Sequence, residues 1–307
     1  IGRPFWGPKF TSISRKHPRS AITIPVLETY IWYNLIRTSC PESTMNFPAK
    51  TIAILLSAAL AAFHLSCDRD DSEGEDPLSI DSLQGHVQKG PFLNGTSIMI
   101  SELSGEMVQT GRTFTTQISD NRGSFELNQL ELNSPYVQME ADGYYYNEVA
   151  GVSSSSRLIL YALSSIEEKT TLNVNVLSHL ERGRVLKLIS EGMDFVTAKK
   201  QAQQEVLGIF SLTKADMMDS ELLDISRDGT DDAILLAISL ILQGQRSEGE
   251  LSELLANIYS DLAEDGELNS ASTGSALVNH ARWLNLMSIR ENLEARYEAT
   301  GLALTLP

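Results

Sequence analysis

Histidine, serine, cysteine and carboxylate side chains carry most proton transfer, nucleophilic attack and metal binding, and this chain holds few of them in a working pattern. Of its five histidines, His86, His179 and His280 lie in the part that reads as folded, and none has the spacing of an H-E-x-x-H zinc helix. Ser178-His179 places a nucleophile beside a base, but adjacent residues of a helix point in different directions, so the pair fails on geometry. A G-x-S-x-G elbow and a Walker loop are both absent from the sequence. Asp224, Ser226, Asp228, Gly229 and Thr230 match the opening of a calcium loop. Where that loop needs its closing bidentate carboxylate stands Leu235, and Arg227 puts a cation inside the cage. The better reading is a helix start, with Thr230, Asp231 and Asp232 serving free amides and the positive end of the dipole. The expectation is no catalytic residue, no metal site and no cofactor.

Stacking is the other chemistry on offer. Tyr144, Tyr145 and Tyr146 are consecutive, so on a strand Tyr144 and Tyr146 share one face and Tyr145 takes the other. Such rings either cover the edge of a core or form a platform for sugar rings, and core packing is the first reading. As a platform they would bind glycan without using charge, so salt would matter little.

One cysteine has a reaction of its own. From Met45 the chain runs Met-Asn-Phe-Pro-Ala-Lys, then an apolar stretch from Thr51 to Phe63, then His64-Leu65-Ser66-Cys67 and an acidic tract from Asp68 to Asp76. A basic start, a dozen apolar residues and a small residue before the cut make a secretory signal. The run is too short for a membrane span, which takes about 20 apolar residues. With cysteine at the cut it resembles the signal of bacterial lipoproteins, which implies that Cys67 is the lipidated first residue of the mature chain. His64 stands where that pattern favours leucine. The acidic residues, Asp68, Asp70 and Asp71 among them, resemble a surface-export signal of Bacteroidota-like lipoproteins, and otherwise read as a solvated tether over 67–81. Residues 1–44 are expected to be upstream sequence, with Met45 as the initiator, and a further domain after Pro307 stays open.

The 66 residues before Cys67 hold 7 of the 24 basic and 2 of the 40 acidic side chains, leaving a net charge of −21 from Cys67 onward. That charge repels phosphate backbones, which argues against a nucleic-acid partner. Cys40 and Cys67 are the two cysteines, so the exported part contains no disulfide.

These residues need elements to position them. From 82 to 166 the signal is β: Ile98 and Ile100 alternate, as do Val137, Met139 and Ala141, and Asn94-Gly95, Asp120–Gly123 and Asp142-Gly143 mark turns. Strands are expected at 97–103, 113–118, 124–127, 144–149 and 158–163. Thr115, Thr116, Asp120, Gly123, Phe125, Leu127, Tyr136, Gly143 and Tyr144 follow a pattern that resembles carboxypeptidase-regulatory-like domains. That resemblance implies a prealbumin-like sandwich that acts as a spacer or binding platform, with no catalytic position.

After Thr170 the period becomes helical. Val176, Leu177, Leu180, Val185 and Leu188 form one face before Gly192, and Phe195, Ala198, Ala202 and Val206 form the next. Asn173 to Leu180 also resembles the helical segment that follows such sandwiches in exported bacterial proteins. Ser247–Glu250 and Ser288–Glu291 read as capping boxes. Ala233 to Leu242 is apolar except for Ser239, so this helix must be covered on every side.

The sequence therefore predicts an α+β chain in separate domains, a prealbumin/Ig-like β-sandwich over 82–166 and an all-α domain over 170–307. The expected function is a non-catalytic lipoprotein of a Gram-negative outer membrane, facing the periplasm or the cell surface, anchored through its lipid and binding cell-envelope or extracellular glycan or protein. The other class is an enzyme whose site, without a local motif, lies in the helical domain.

Overall fold

The computed structural model describes residues 77–167 and 169–304. Cys67, Asp68, Asp70, Asp71 and the segment 1–66 fall outside them. Among the described residues nine strands precede six helices, so β and α structure occupy separate parts in the expected order.

Strand β1 (Leu78–Gln88) lies between β4 (Ser124–Leu132) and the two-residue β9 (Val174–Asn175). A second sheet runs β3 (Gln109–Gln117), β2 (Ser97–Leu103), β5 (Tyr136–Gly143) and β8 (Leu158–Ser165). The inward residues of both sheets, Leu83, Val87 and Phe125 of one and Ile98, Ile100, Val137 and Met139 of the other, belong to one buried cluster. β1 starts four residues earlier than the boundary at 82 and takes in the end of the presumed tether. Leu78 and Ile80 alternate there and sit opposite Leu132 and Leu130, so pairing removes apolar surface from water.

The expected strand over 144–149 shrinks to β6 (Tyr146–Asn147), which pairs with β7 (Val152–Ser153). Asn147 ends it, since its side-chain oxygen accepts from the amides of Val149 and Ala150 and closes a turn. Asp142-Gly143 is the end of β5 rather than a turn. β9 extends the β part past 170. It runs parallel to β1, and Gly85 permits the close approach, because a Cβ there would lie 1.8 Å from the Leu172 carbonyl oxygen.

Helices α1 (Val176–Ser190) and α2 (Phe195–Ile209) are followed by the short 3-10 turn Ser220–Leu222. Helix α3 (Thr230–Gln243) is buried from Asp231 to Gln243, as the apolar run Ala233–Leu242 requires, and touches α1 and the two helices that follow it. In α4 (Glu248–Asp265) the Ser247/Glu250 capping box is formed as expected. The helices end with α5 (Ala271–Arg282) and α6 (Leu286–Glu298). Asn285, not Ser288, caps α6: its side chain accepts from the Ser288 amide at 3.2 Å. Starting one turn earlier places Ile289, Leu293 and Tyr297 at helical spacing on the buried face.

The two parts share one interior. Residues of both sheets and of α1, α3, α4 and α6 join in the main cluster, while Leu103 and Leu163 of the sheet pack with Val185, Leu188, Ala198 and Ala202.

Candidate ligand-binding groove

The three consecutive tyrosines do not form a platform. Tyr144 is 45 % exposed, but Tyr145 and Tyr146 are 0 % and 8 % exposed, which corrects the glycan-platform reading for those two rings. The Tyr145 hydroxyl donates to Gln243 Oε1 of α3 at 3.2 Å, and its ring packs 5.9 Å from Phe92. Tyr146 donates to the Asn292 carbonyl of α6 at 3.2 Å, with the Arg296 guanidinium 5.0 Å from its ring centre. Both join the sheet to the helices, which is why both faces of this short segment are covered.

The Asp224 loop is likewise engaged internally. Asp224 Oδ1 accepts from Gln88 Nε2 at 2.6 Å and from the Ser226 amide at 2.8 Å. Asp232 accepts from the Asp224 amide at 2.6 Å and Asp231 from the Met218 amide at 2.8 Å. The two acids occupy the first turn of α3, where the dipole favours them, but they serve amides of the preceding loop instead of their own helix. Among the described residues no group of three or more His, Cys, Asp or Glu is arranged to hold a metal. His86 stands 3.8 Å from Asp224, and His280 Nδ1 accepts from the Gln245 amide at 3.0 Å. Burial, then Arg246, holds the His280 imidazole below its usual pKa.

A cavity of about 390 Å³ opens beside Lys169, Lys199, Asp219 and Glu221. Its charges satisfy one another. Lys199 lies 3.0 Å from Glu181 and 2.9 Å from Glu221, while Ser164 donates to Glu221 at 2.8 Å. Burial alone would lower the Lys199 pKa, but the two carboxylates outweigh it and raise it. Burial also pushes the Glu181 carboxyl up. This network ties α1, α2 and the Ser220–Leu222 turn together.

A groove of about 370 Å³ between the outer face of β8, α1 and α4 is different. Tyr161 reaches it because it alternates with the inward Leu160 and Ala162. His179 and Arg182, three residues apart on α1, share one helix face. From α4 comes Tyr259, whose ring fits against α1 because residue 183 is glycine: a Cβ there would lie 2.8 Å from the ring. The His179 ring sits 5.9 Å from Tyr161 at an interplanar angle of 21° and 6.0 Å from Tyr259 at 39°. The Arg182 guanidinium lies 4.5 Å from the Tyr161 ring centre and 5.9 Å from that of Tyr259. Its Nε donates to Gln138 Oε1 at 2.8 Å, and an Nη to the Tyr259 hydroxyl at 3.3 Å. At the rim, Ile159 is exposed and Arg157 pairs with Asp142 at 2.9 Å.

His179 Nδ1 is buried without a hydrogen-bond partner. Burial, then the positive charge of Arg182, pushes this imidazole down to about 4, so it is neutral at pH 7. An unpaired lone pair is a smaller loss than an unpaired N–H, so the proton belongs on Nε2. The Tyr161 phenol is raised, first by burial and then by Glu140. The arrangement presents rings, hydroxyls, a neutral donor and a guanidinium.

Between pH 6.5 and about 4 the folded chain binds fewer protons at His179 than the unfolded chain does, so His179 costs stability progressively as pH falls through that window. The full loss is about 3 kcal/mol. His179→Phe is expected to flatten the acid side of the stability curve by up to that amount, read from urea midpoints at pH 7 and pH 4. Equal pH dependence in the two proteins would refute the assignment.

No protein family, curated protein or solved structure matches this chain.

Proposed function

We propose that the chain is a non-catalytic cell-envelope lipoprotein, held to the outer membrane of a Gram-negative bacterium through Cys67, that binds a glycan in the β8–α1–α4 groove. The observation carrying this reading is the Tyr161–His179–Tyr259 ring series beside Arg182, in a groove the size of a small-ligand site. Aromatic faces stack on sugar rings, and neighbouring hydroxyl and N–H groups meet sugar hydroxyls. The signal-like run before Cys67 supports the anchor, and the resemblance of the β part to spacer and platform modules supports binding over catalysis.

The mature chain with Cys67→Ser, made soluble, tests the groove by calorimetric titration with cell-envelope polysaccharides. Tyr161→Ala or Tyr259→Ala is expected to weaken binding by about tenfold, the worth of one aromatic contact. Tyr144→Ala should leave it unchanged. Binding that survives both groove substitutions would place the ligand elsewhere. In cells, wild type should fractionate with membranes and Cys67→Ser should not, since stable attachment needs the lipid. A membrane-bound Cys67→Ser protein would remove the anchor from the reading.

A further inference from the structure

We infer that the glycan held in the groove is an acidic one, with a sugar carboxylate docked on Arg182; this rests on the groove being the glycan site. Arg182 has no carboxylate within ion-pair distance among the described residues, in a chain whose acids far outnumber its bases. Neighbouring cations on α1 and just before β8 are matched: Arg184 with Glu205 at 2.7 Å and Arg157 with Asp142 at 2.9 Å. Arg246 also lacks an acid, but it donates to the Ile241 and Leu242 carbonyls at the C-terminal end of α3, where the helix dipole welcomes a cation. Arg182 has no such compensation. Its two side-chain acceptors, Gln138 Oε1 and the Tyr259 hydroxyl, are neutral, and they use two of the five guanidinium N–H groups.

The guanidinium is also fixed before any ligand arrives. Stacking on Tyr161 and Tyr259 and the bond to Gln138 hold its plane, so little side-chain freedom is lost on binding. A planar fork with free N–H groups matches a carboxylate in shape as well as charge. Beside it the neutral His179 offers its Nε2 proton as a further donor to an anion's oxygen. Of the nearby carboxylates, Asp142 pairs with Arg157, and Glu140 stands opposite Tyr161 across the β5–β8 pairing. Glu140 still bears on the potential in the groove and opposes an anion there, which gives the inference a second handle.

The test uses the mature chain with Cys67→Ser and two probes on one scaffold, tetragalacturonate and its fully methyl-esterified form. Wild type is expected to bind the acid at least about tenfold more tightly than the ester at low salt, the scale of a hydrogen-bonded charge contact. The gap should narrow as salt rises. Arg182→Gln should bring the two probes to equal affinity, and Arg182→Lys, which keeps the charge without the fork, should fall between. Glu140→Gln should tighten binding of the acid severalfold and leave the ester unchanged. Because each readout is a ratio between two ligands of one protein, a general loss of stability does not move it. Equal binding of acid and ester by wild type overturns the inference and leaves the groove as a neutral-glycan site. If neither probe binds, the groove reading fails and the inference falls with it.

Discussion

Lys89→Met is expected to destabilise the protein by about 3–5 kcal/mol, the cost of leaving one partner of a buried ion pair uncompensated. Lys89 Nζ and Glu148 Oε2 are 2.8 Å apart, and both side chains are fully shielded from solvent. Burial holds the Lys89 pKa below its usual value even though Glu148 acts to raise it. The pair is enclosed by the Tyr145 ring, 5.0 Å from Nζ, and by Ser239 of α3. That hydroxyl lies within hydrogen-bond reach of the Lys89 carbonyl and of Glu148 Oε1. Removing Lys89 alone strands a carboxylate in this pocket. Removing both charges, as Lys89→Met with Glu148→Leu, should recover most of the loss, since apolar replacements of buried pairs are often neutral or better. Urea unfolding of the two single variants and the double variant measures the cycle. Additive losses would mean that the two groups act separately.

The second large effect concerns cooperativity. One unfolding transition is expected for residues 77–304, although the chain puts its strands before its helices. The two parts are in contact: Tyr145 with Gln243, Gln88 with Asp224 at 2.6 Å, and a common apolar cluster. Leu235→Ala, at a fully buried position of α3, should cost about 2–5 kcal/mol. It should lower hydrogen-exchange protection in β2, β5 and β8 as much as in the helices. Loss confined to the helices, or two calorimetric transitions, would show two independent units.

Periodicity made the fold legible where burial follows one simple rule. Ile98/Ile100 and Val137/Met139/Ala141 alternate because one face of their strands is covered, and Ala233–Leu242 is apolar because all of its sides are. Tyr145, Tyr146 and Ser239 were not legible in the same way. Their surroundings come from segments about 90 to 150 residues distant, and no local window contains Gln243, Asn292 or Lys89. The groove was hidden for the same reason, being assembled from β8, α1 and α4. One signal was present: Gly183 stands in the middle of a helix, where glycine costs about 1 kcal/mol, and it is there to admit Tyr259. The Asn285 cap is not legible because Ser288–Glu291 carries the capping-box residues and Asn285 does not, while the helix in fact starts one turn earlier.

The place of β1 has a mechanical meaning. It is the first strand of the fold and the middle one of its sheet, paired antiparallel with β4 from Leu78 to His86 and parallel with β9 at Val87 and Gln88. Tension applied at Leu78 along the strand axis acts on these pairings. It loads the β1–β4 hydrogen bonds in shear, so many must give way together, where an edge strand pulled sideways would unzip one bond at a time. Forced unfolding is governed by the rate of crossing that barrier. A pull from that end is met first by a strand paired along both of its edges.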